Sequence, residues 1–109
     1  MTCKFQSLYF SDDAYVVHCK QCGRYQIAFI STILTLNECD FQALYNLVKD
    51  KCENADDSLS PHCKSFIIQT PANGIYILLT KSEGLRLLEI LEEADNEYKA
   101  QSLICLFNS

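Results

Sequence analysis

Two helix-capping signals, 43 positions apart, constrain the fold of this chain more than any other feature. Thr80 is followed three residues later by Glu83, the pattern of a capping box, in which each side chain accepts a hydrogen bond from the other residue's backbone N–H. Asn37 and Asp40 form a similar pair, with aspartate in the place where glutamate is usual. A helix is therefore expected to begin directly after Asn37 and directly after Thr80.

Apolar residues at helical spacing follow both caps, so we predict helices over about 38–51 and 81–95. The residues expected on the inward face of the first helix are Phe41, Leu44, Tyr45 and Val48. Those expected on the inward face of the second helix are Leu87, Leu88, Leu91 and Ala94.

Short runs rich in β-branched and aromatic residues precede both helices. We predict strands over 7–10, 15–18, 25–29, 33–36, 65–69 and 75–79. Asn73-Gly74 between the last two runs is a strong hairpin signal, because Gly readily takes the positive φ that tight turns need. The apolar run 103–107 fits a strand or more helix, and we expect a strand.

These elements predict an α+β fold, in which two amphipathic helices lie on one face of an antiparallel sheet of hairpins. A length of 109 residues suits a single domain over 1–109. Residues 13–52 and 64–95 each read as hairpin, cap and helix, so an internal ββα duplication is one interpretation. The other interpretation is that any two capped helices would align equally well.

The chain is acidic, with 14 Asp and Glu against 9 Lys and Arg and a net charge of −5. This balance argues against a general nucleic-acid binder, which would carry a basic face. Lys20, Arg24, Tyr25 and Phe29 form a small basic and aromatic group, whose two rings we expect in the core. No apolar run approaches the ~20 residues that span a membrane, so we expect no membrane association.

Seven cysteines are present, an odd number that cannot pair completely within one chain. The first residues contain no apolar stretch of the kind found in secretion signals and reach two acids at Asp12 and Asp13. Both observations favour a reducing cytoplasm, where clustered cysteines more often bind metal or take part in redox chemistry than form disulfides.

Cys19 and Cys22 form a C-x-x-C-Gly pattern between two predicted strands. This is the one motif in the sequence that indicates metal binding or redox chemistry. Two thiolates at this spacing can hold one zinc ion from a single turn, and Gly23 allows the turn its positive φ. Such a structural zinc site needs four ligands, and we predict that Cys3 and Cys63 complete it. His62 and His18 are the alternatives for the fourth ligand.

A thiol-redox function for Cys19 and Cys22 is the main alternative. It is less favoured, because such pairs are activated by a helix that begins just after them, and here a strand follows. We identify no catalytic residue: the chain has two histidines and none of the hydrolase or nucleotide-binding motifs.

The segment from Cys3 through Val17-His18-Cys19-Lys20-Gln21-Cys22-Gly23-Arg24-Tyr25-Gln26-Ile27-Ala28-Phe29 resembles a family of small bacterial domains of unknown function. In that family a cysteine precedes a C-x-x-C turn, a strand with a Q-x-x-F pattern and a capped helix. The resemblance extends over residues 3–48. It implies a small cytoplasmic protein with a metal knuckle at Cys3, Cys19 and Cys22, and it implies no activity.

We therefore expect a non-catalytic interaction or regulatory module with a structural zinc knuckle. Its partner would be another protein or a second copy of the chain, since a hairpin edge can pair with another strand in a homodimer. The alternatives are a thiol-redox protein and a nucleic-acid accessory protein.

Overall fold

The computed structural model describes residues 4–54, 64–70, 74 and 76–107. The elements, in chain order, are β1 (Phe5–Phe10), β2 (Ala14–Cys19), β3 (Tyr25–Phe29), β4 (Thr32–Leu36), α1 (Glu38–Glu53), β5 (Lys64–Gln69), β6 (Tyr76–Thr80) and α2 (Lys81–Phe107). The α+β class with antiparallel hairpins and two helices is confirmed. The strands lie in two separate sheets, a four-stranded sheet of order β1-β2-β3-β4 and the two-stranded sheet β5-β6.

The chain divides into two compact units, which are described separately. Unit 1 takes in Met1–Glu38 and Ile90–Ser109, and unit 2 takes in Cys39–Glu89. The prediction of a single domain stays a prediction, and so does the duplication of 13–52 and 64–95.

Unit 1 contains the four-stranded antiparallel meander and the C-terminal part of α2. Neighbouring strands of the meander are paired in register, so the side chains at alternate positions share one face of the sheet. That face is buried. The buried residues of β2 and β3 on this face are Ala14, Val16, His18, Tyr25, Ile27 and Phe29. Leu8 is the residue skipped where the β1–β2 register shifts, and it is also buried.

The turn between β3 and β4 contains a strained residue that the sequence pattern does not predict. Ile30 has a φ of 57°, in the left-handed region that β-branched residues avoid. Its side chain is 52% exposed, so packing does not compensate this strain. The two-residue connection Ile30-Ser31 is short enough to require such a conformation, since tight hairpins favour turns with positive φ.

Unit 2 contains α1, the β5–β6 hairpin and the first turns of α2. Helix α1 begins at Glu38, as the cap at Asn37 predicts, and buries Phe41, Leu44 and Val48. In the hairpin, Ile68 and Leu79 are buried, whereas Ile67 and Leu78 face solvent. Gly74 has a φ of 80°, which fits the predicted Asn-Gly turn.

The capping box predicted at the start of α2 is formed. The backbone N–H of Thr80 donates to Oε1 of Glu83 at 2.8 Å, and the backbone N–H of Glu83 donates to Oγ1 of Thr80 at 3.1 Å. Two of the N–H groups that have no partner inside a helix are satisfied in this way.

Replacing Thr80 with alanine should lower the free energy of unfolding by about 1 kcal/mol, since the N–H of Glu83 loses its acceptor. Urea unfolding followed by circular dichroism measures this change. Thr80→Ser keeps the hydroxyl and is the matched control, with an expected loss below about 0.5 kcal/mol. Equal losses in the two variants would show that the cap contributes nothing.

Two expectations about the end of the chain are corrected. Helix α2 runs to Phe107 instead of ending near 95, and the run 103–107 is helical instead of a strand. The physical reason is that neither Gly nor Pro follows Gly84, and that Glu, Ala, Gln and Leu, all good helix formers, fill the segment. Within the described residues, no helix combines the length and the apolar character needed to cross a membrane.

Candidate metal knuckle and the adjoining cleft

The C-x-x-C-Gly turn is a tight connection between β2 and β3. The N–H of Cys19 donates to the carbonyl of Arg24 at 2.9 Å, and the N–H of Gly23 donates to the carbonyl of Cys19 at 2.8 Å. Gly23 has a φ of 74°, as expected for the glycine that follows the second cysteine. The N–H of Gly23 thus closes the turn through a carbonyl rather than through a sulfur.

The turn holds its two thiols at different depths. Cys19 is completely buried and Cys22 is exposed, and neither is in a disulfide. Phe5, the first residue of β1, pairs with Cys19 across the sheet. Cys3 lies two positions before Phe5 in sequence, outside the described residues, and Cys63 lies outside them as well.

In residues 4–54, 64–70, 74 and 76–107, no three or more His, Cys, Asp or Glu side chains are close enough to bind one metal ion. Of the four predicted ligands, only Cys19 and Cys22 lie among the described residues. The zinc site at Cys3, Cys19, Cys22 and Cys63 therefore stays a prediction.

His18 and Cys19 are neighbours on β2 and point to opposite faces of the sheet. His18 lies on the buried face with two tyrosines. Its ring centroid is 4.5 Å from that of Tyr25 and 5.0 Å from that of Tyr98 on α2, and the two tyrosine rings are 5.9 Å apart. This packing places the His18 ring between a strand residue and a helix residue of unit 1.

The same cluster bears on the nucleic-acid alternative. Tyr25 is 1% exposed and Phe29 is 7% exposed, so neither ring can stack on a base. Burial raises the pKa of the Tyr25 hydroxyl well above its ordinary value, with smaller contributions from Tyr98, Glu38 and Asp95. Tyr25 is therefore a neutral core residue, as expected from the sequence.

His18 is nearly buried, and burial lowers the pKa of its imidazole. Lys20 lowers that pKa further, whereas Glu38 and a hydrogen bond to the backbone of Gly23 raise it. A hydrogen bond that favours the charged ring must run from the ring N–H to a carbonyl oxygen. Burial is the largest of these effects, so the net shift of the pKa favours the neutral imidazole.

Beside this cluster, unit 1 contains an open cleft of about 510 Å³ between the end of β2 and the last turns of α2. The residues that line it are Gln6, His18, Lys20, Tyr98, Gln101, Ser102, Cys105 and Leu106. The ammonium nitrogen of Lys20 lies 3.9 Å from the sulfur of Cys105, which is exposed. Gln101 donates to the carbonyl of Ser7 at 3.4 Å and to Oε1 of Glu97 at 2.9 Å.

Models of known protein families, curated proteins and solved structures contain no match to this chain. The resemblance to a bacterial family of unknown function accordingly stays a prediction. Any functional conclusion depends on the geometry of the knuckle and of the cleft.

Sequence reasoning missed the cleft. Its lining comes from β1, β2 and the part of α2 that was expected to lie beyond the helix end. Of the lining residues, the sequence singled out Lys20 as part of a basic and aromatic group and His18 as an alternative zinc ligand. The pairing of Lys20 with Cys105, 85 positions later, depends on the course of α2.

Proposed function

We propose that this chain is a non-catalytic cytoplasmic interaction module, whose N-terminal sheet is held together by zinc bound to Cys3, Cys19, Cys22 and Cys63. The observation that carries the proposal is the tight C-x-x-C-Gly turn, closed by two backbone hydrogen bonds and by the positive φ of Gly23. A turn of this kind presents two thiolates to one tetrahedral ion at low entropic cost.

The redox alternative is less well supported. A catalytic dithiol needs an accessible attacking thiolate, commonly stabilised at a helix N-terminus. In the turn, Cys19 is buried and the residues after Cys22 lead into strand β3. Without a helix N-terminus beside its cysteines, the turn fits a metal ligand pair better than an exchanging pair.

Exposed apolar side chains support the interaction part of the proposal. The last turns of α2 expose Leu103, Ile104, Leu106 and Phe107, and Ile33 is exposed on β4, at the edge of the four-stranded sheet. Apolar residues grouped at a surface commonly mark protein contacts, and an edge strand can pair with another chain. The proposed partner is a protein or a second copy of this chain.

The metal content tests the zinc assignment. Untagged protein purified without chelator should carry about one zinc ion per chain in native mass spectrometry, and the same spectrum shows whether one or two chains are present. Four thiols should resist a thiol reagent until the zinc is released. Cys22→Ser should lose most of the zinc without deleting a buried side chain, since Cys22 is exposed.

Cys39→Ser is the matched control, because Cys39 is also an exposed thiol but lies on α1. It should keep the full zinc content. Protein without metal, or a Cys22→Ser variant with undiminished zinc, would contradict the proposal. Monomers at every concentration would restrict the partner to a different protein.

A further inference from the structure

The cleft of unit 1 combines three features that the zinc proposal does not use. Lys20 places a positive charge at its wall, Cys105 places an exposed thiol 3.9 Å from that charge, and His18 opens into it from the buried face of the sheet. A volume of about 510 Å³ is within the range of small-molecule sites.

His18 is only 8% exposed and supplies the polar group that points to a ligand. Its ring lines the cleft beside Tyr98, with the two ring centroids 5.0 Å apart. An imidazole ring in such a position can exchange a hydrogen bond with an amide group of a ligand.

Lys20 determines the charge of the ligand. Among the described residues, its ammonium group contacts the Cys105 sulfur and forms no ion pair with a carboxylate. An unpaired ammonium beside a cleft attracts a carboxylate on the ligand. A ligand held by this ammonium group lies within reach of Cys105, whose sulfur is 3.9 Å from the ammonium nitrogen.

We propose that the cleft binds a small, peptide-like disulfide bearing carboxylates, and that Cys105 exchanges with it to form a mixed disulfide. The sulfur of Cys105 attacks one sulfur of the bound disulfide, so a new S–S bond forms and the original S–S bond breaks. The departing thiolate takes the bonding electron pair and the proton that the Cys105 thiol has released. The ligand is reduced to one free thiol, and Cys105 is oxidised.

The test compares two disulfides of opposite charge. The protein is treated with glutathione disulfide, which carries carboxylates and amides, or with cystamine, which is cationic, and modification at each cysteine is followed by peptide mass spectrometry. Cys105 should react about tenfold faster with glutathione disulfide, since only that reagent is attracted by Lys20. Cys39, an exposed thiol on α1, should show no such preference.

Two lysine variants isolate the contribution of the cleft. Lys20→Met should reduce the preference of Cys105 to about twofold or less, whereas Lys49→Met, at an exposed lysine on α1, should leave it unchanged. Equal rates with the two reagents in the unaltered protein, or an undiminished preference in Lys20→Met, would overturn the proposal.

A binding measurement separates recognition by the cleft from attraction by charge alone. In Cys105→Ser, titration with the unreactive S-methylglutathione should shift the amide resonances of His18, Tyr98 and Gln101 in a saturable way. Absence of saturable shifts would also overturn the proposal. None of these measurements involves a change at Cys22. Failure of this proposal is therefore distinct from failure of the zinc assignment.

Discussion

Replacing Phe41 with alanine is expected to lower the free energy of unfolding by about 3–5 kcal/mol. The Phe41 side chain is completely buried in α1 of unit 2, so its removal costs the transfer free energy of the ring and leaves a cavity. The total free energy of unfolding of a small domain is about 5–15 kcal/mol. The variant should therefore lie close to the limit of folding.

Guanidinium unfolding under reducing conditions, followed by circular dichroism, measures this loss. Phe10→Ala is the matched control, because Phe10 is the same residue type and is 78% exposed. Its expected loss is below about 0.5 kcal/mol. If the two variants lose similar amounts, Phe41 does not occupy the core position described for it.

Replacing Ala100 with proline should interrupt α2 and cost about 3 kcal/mol. Proline at this position removes the backbone hydrogen bond to the carbonyl four residues earlier, and its ring collides with that carbonyl. Ala100 is exposed, so changes in side-chain packing contribute little to the measured loss of stability. The residues after it, including Cys105, should lose their helical positions.

Far-UV circular dichroism should report reduced helix content, and the amides of 101–107 should exchange faster with solvent. Ala100→Ser keeps the backbone donor and should cost only about 0.5 kcal/mol. A proline variant as stable and as protected as the serine variant would contradict the continuous helix to Phe107.

Local signals explain why most of the elements could be predicted. The capping box at Thr80 and Glu83 is formed, and β3 has the bounds Tyr25–Phe29 that the alternating pattern predicts. Both depend on groups within a few residues of each other. Short-range hydrogen bonding and side-chain alternation therefore suffice to place them.

The end of α2 could not be predicted from the same signals. The run 103–107 is apolar and contains no turn residue, and such short runs fit a strand as well as a helix. Leu103 and Ile104 are exposed, so burial does not produce the pattern that would have identified the helix. Continuation from the preceding turns decides in favour of helix, because adding one residue to a helix costs far less than starting one.

The sequence by itself determined the capped helices, the hairpins and the C-x-x-C-Gly turn, because each results from contacts between near neighbours in the chain. Only the tertiary structure decided that His18 packs against Tyr98 and that Lys20 lies 3.9 Å from Cys105. Those contacts join β2 and the turn after it to α2, across about three quarters of the chain. No local propensity encodes them, since they arise when a sheet and a distant helix bury their apolar faces together.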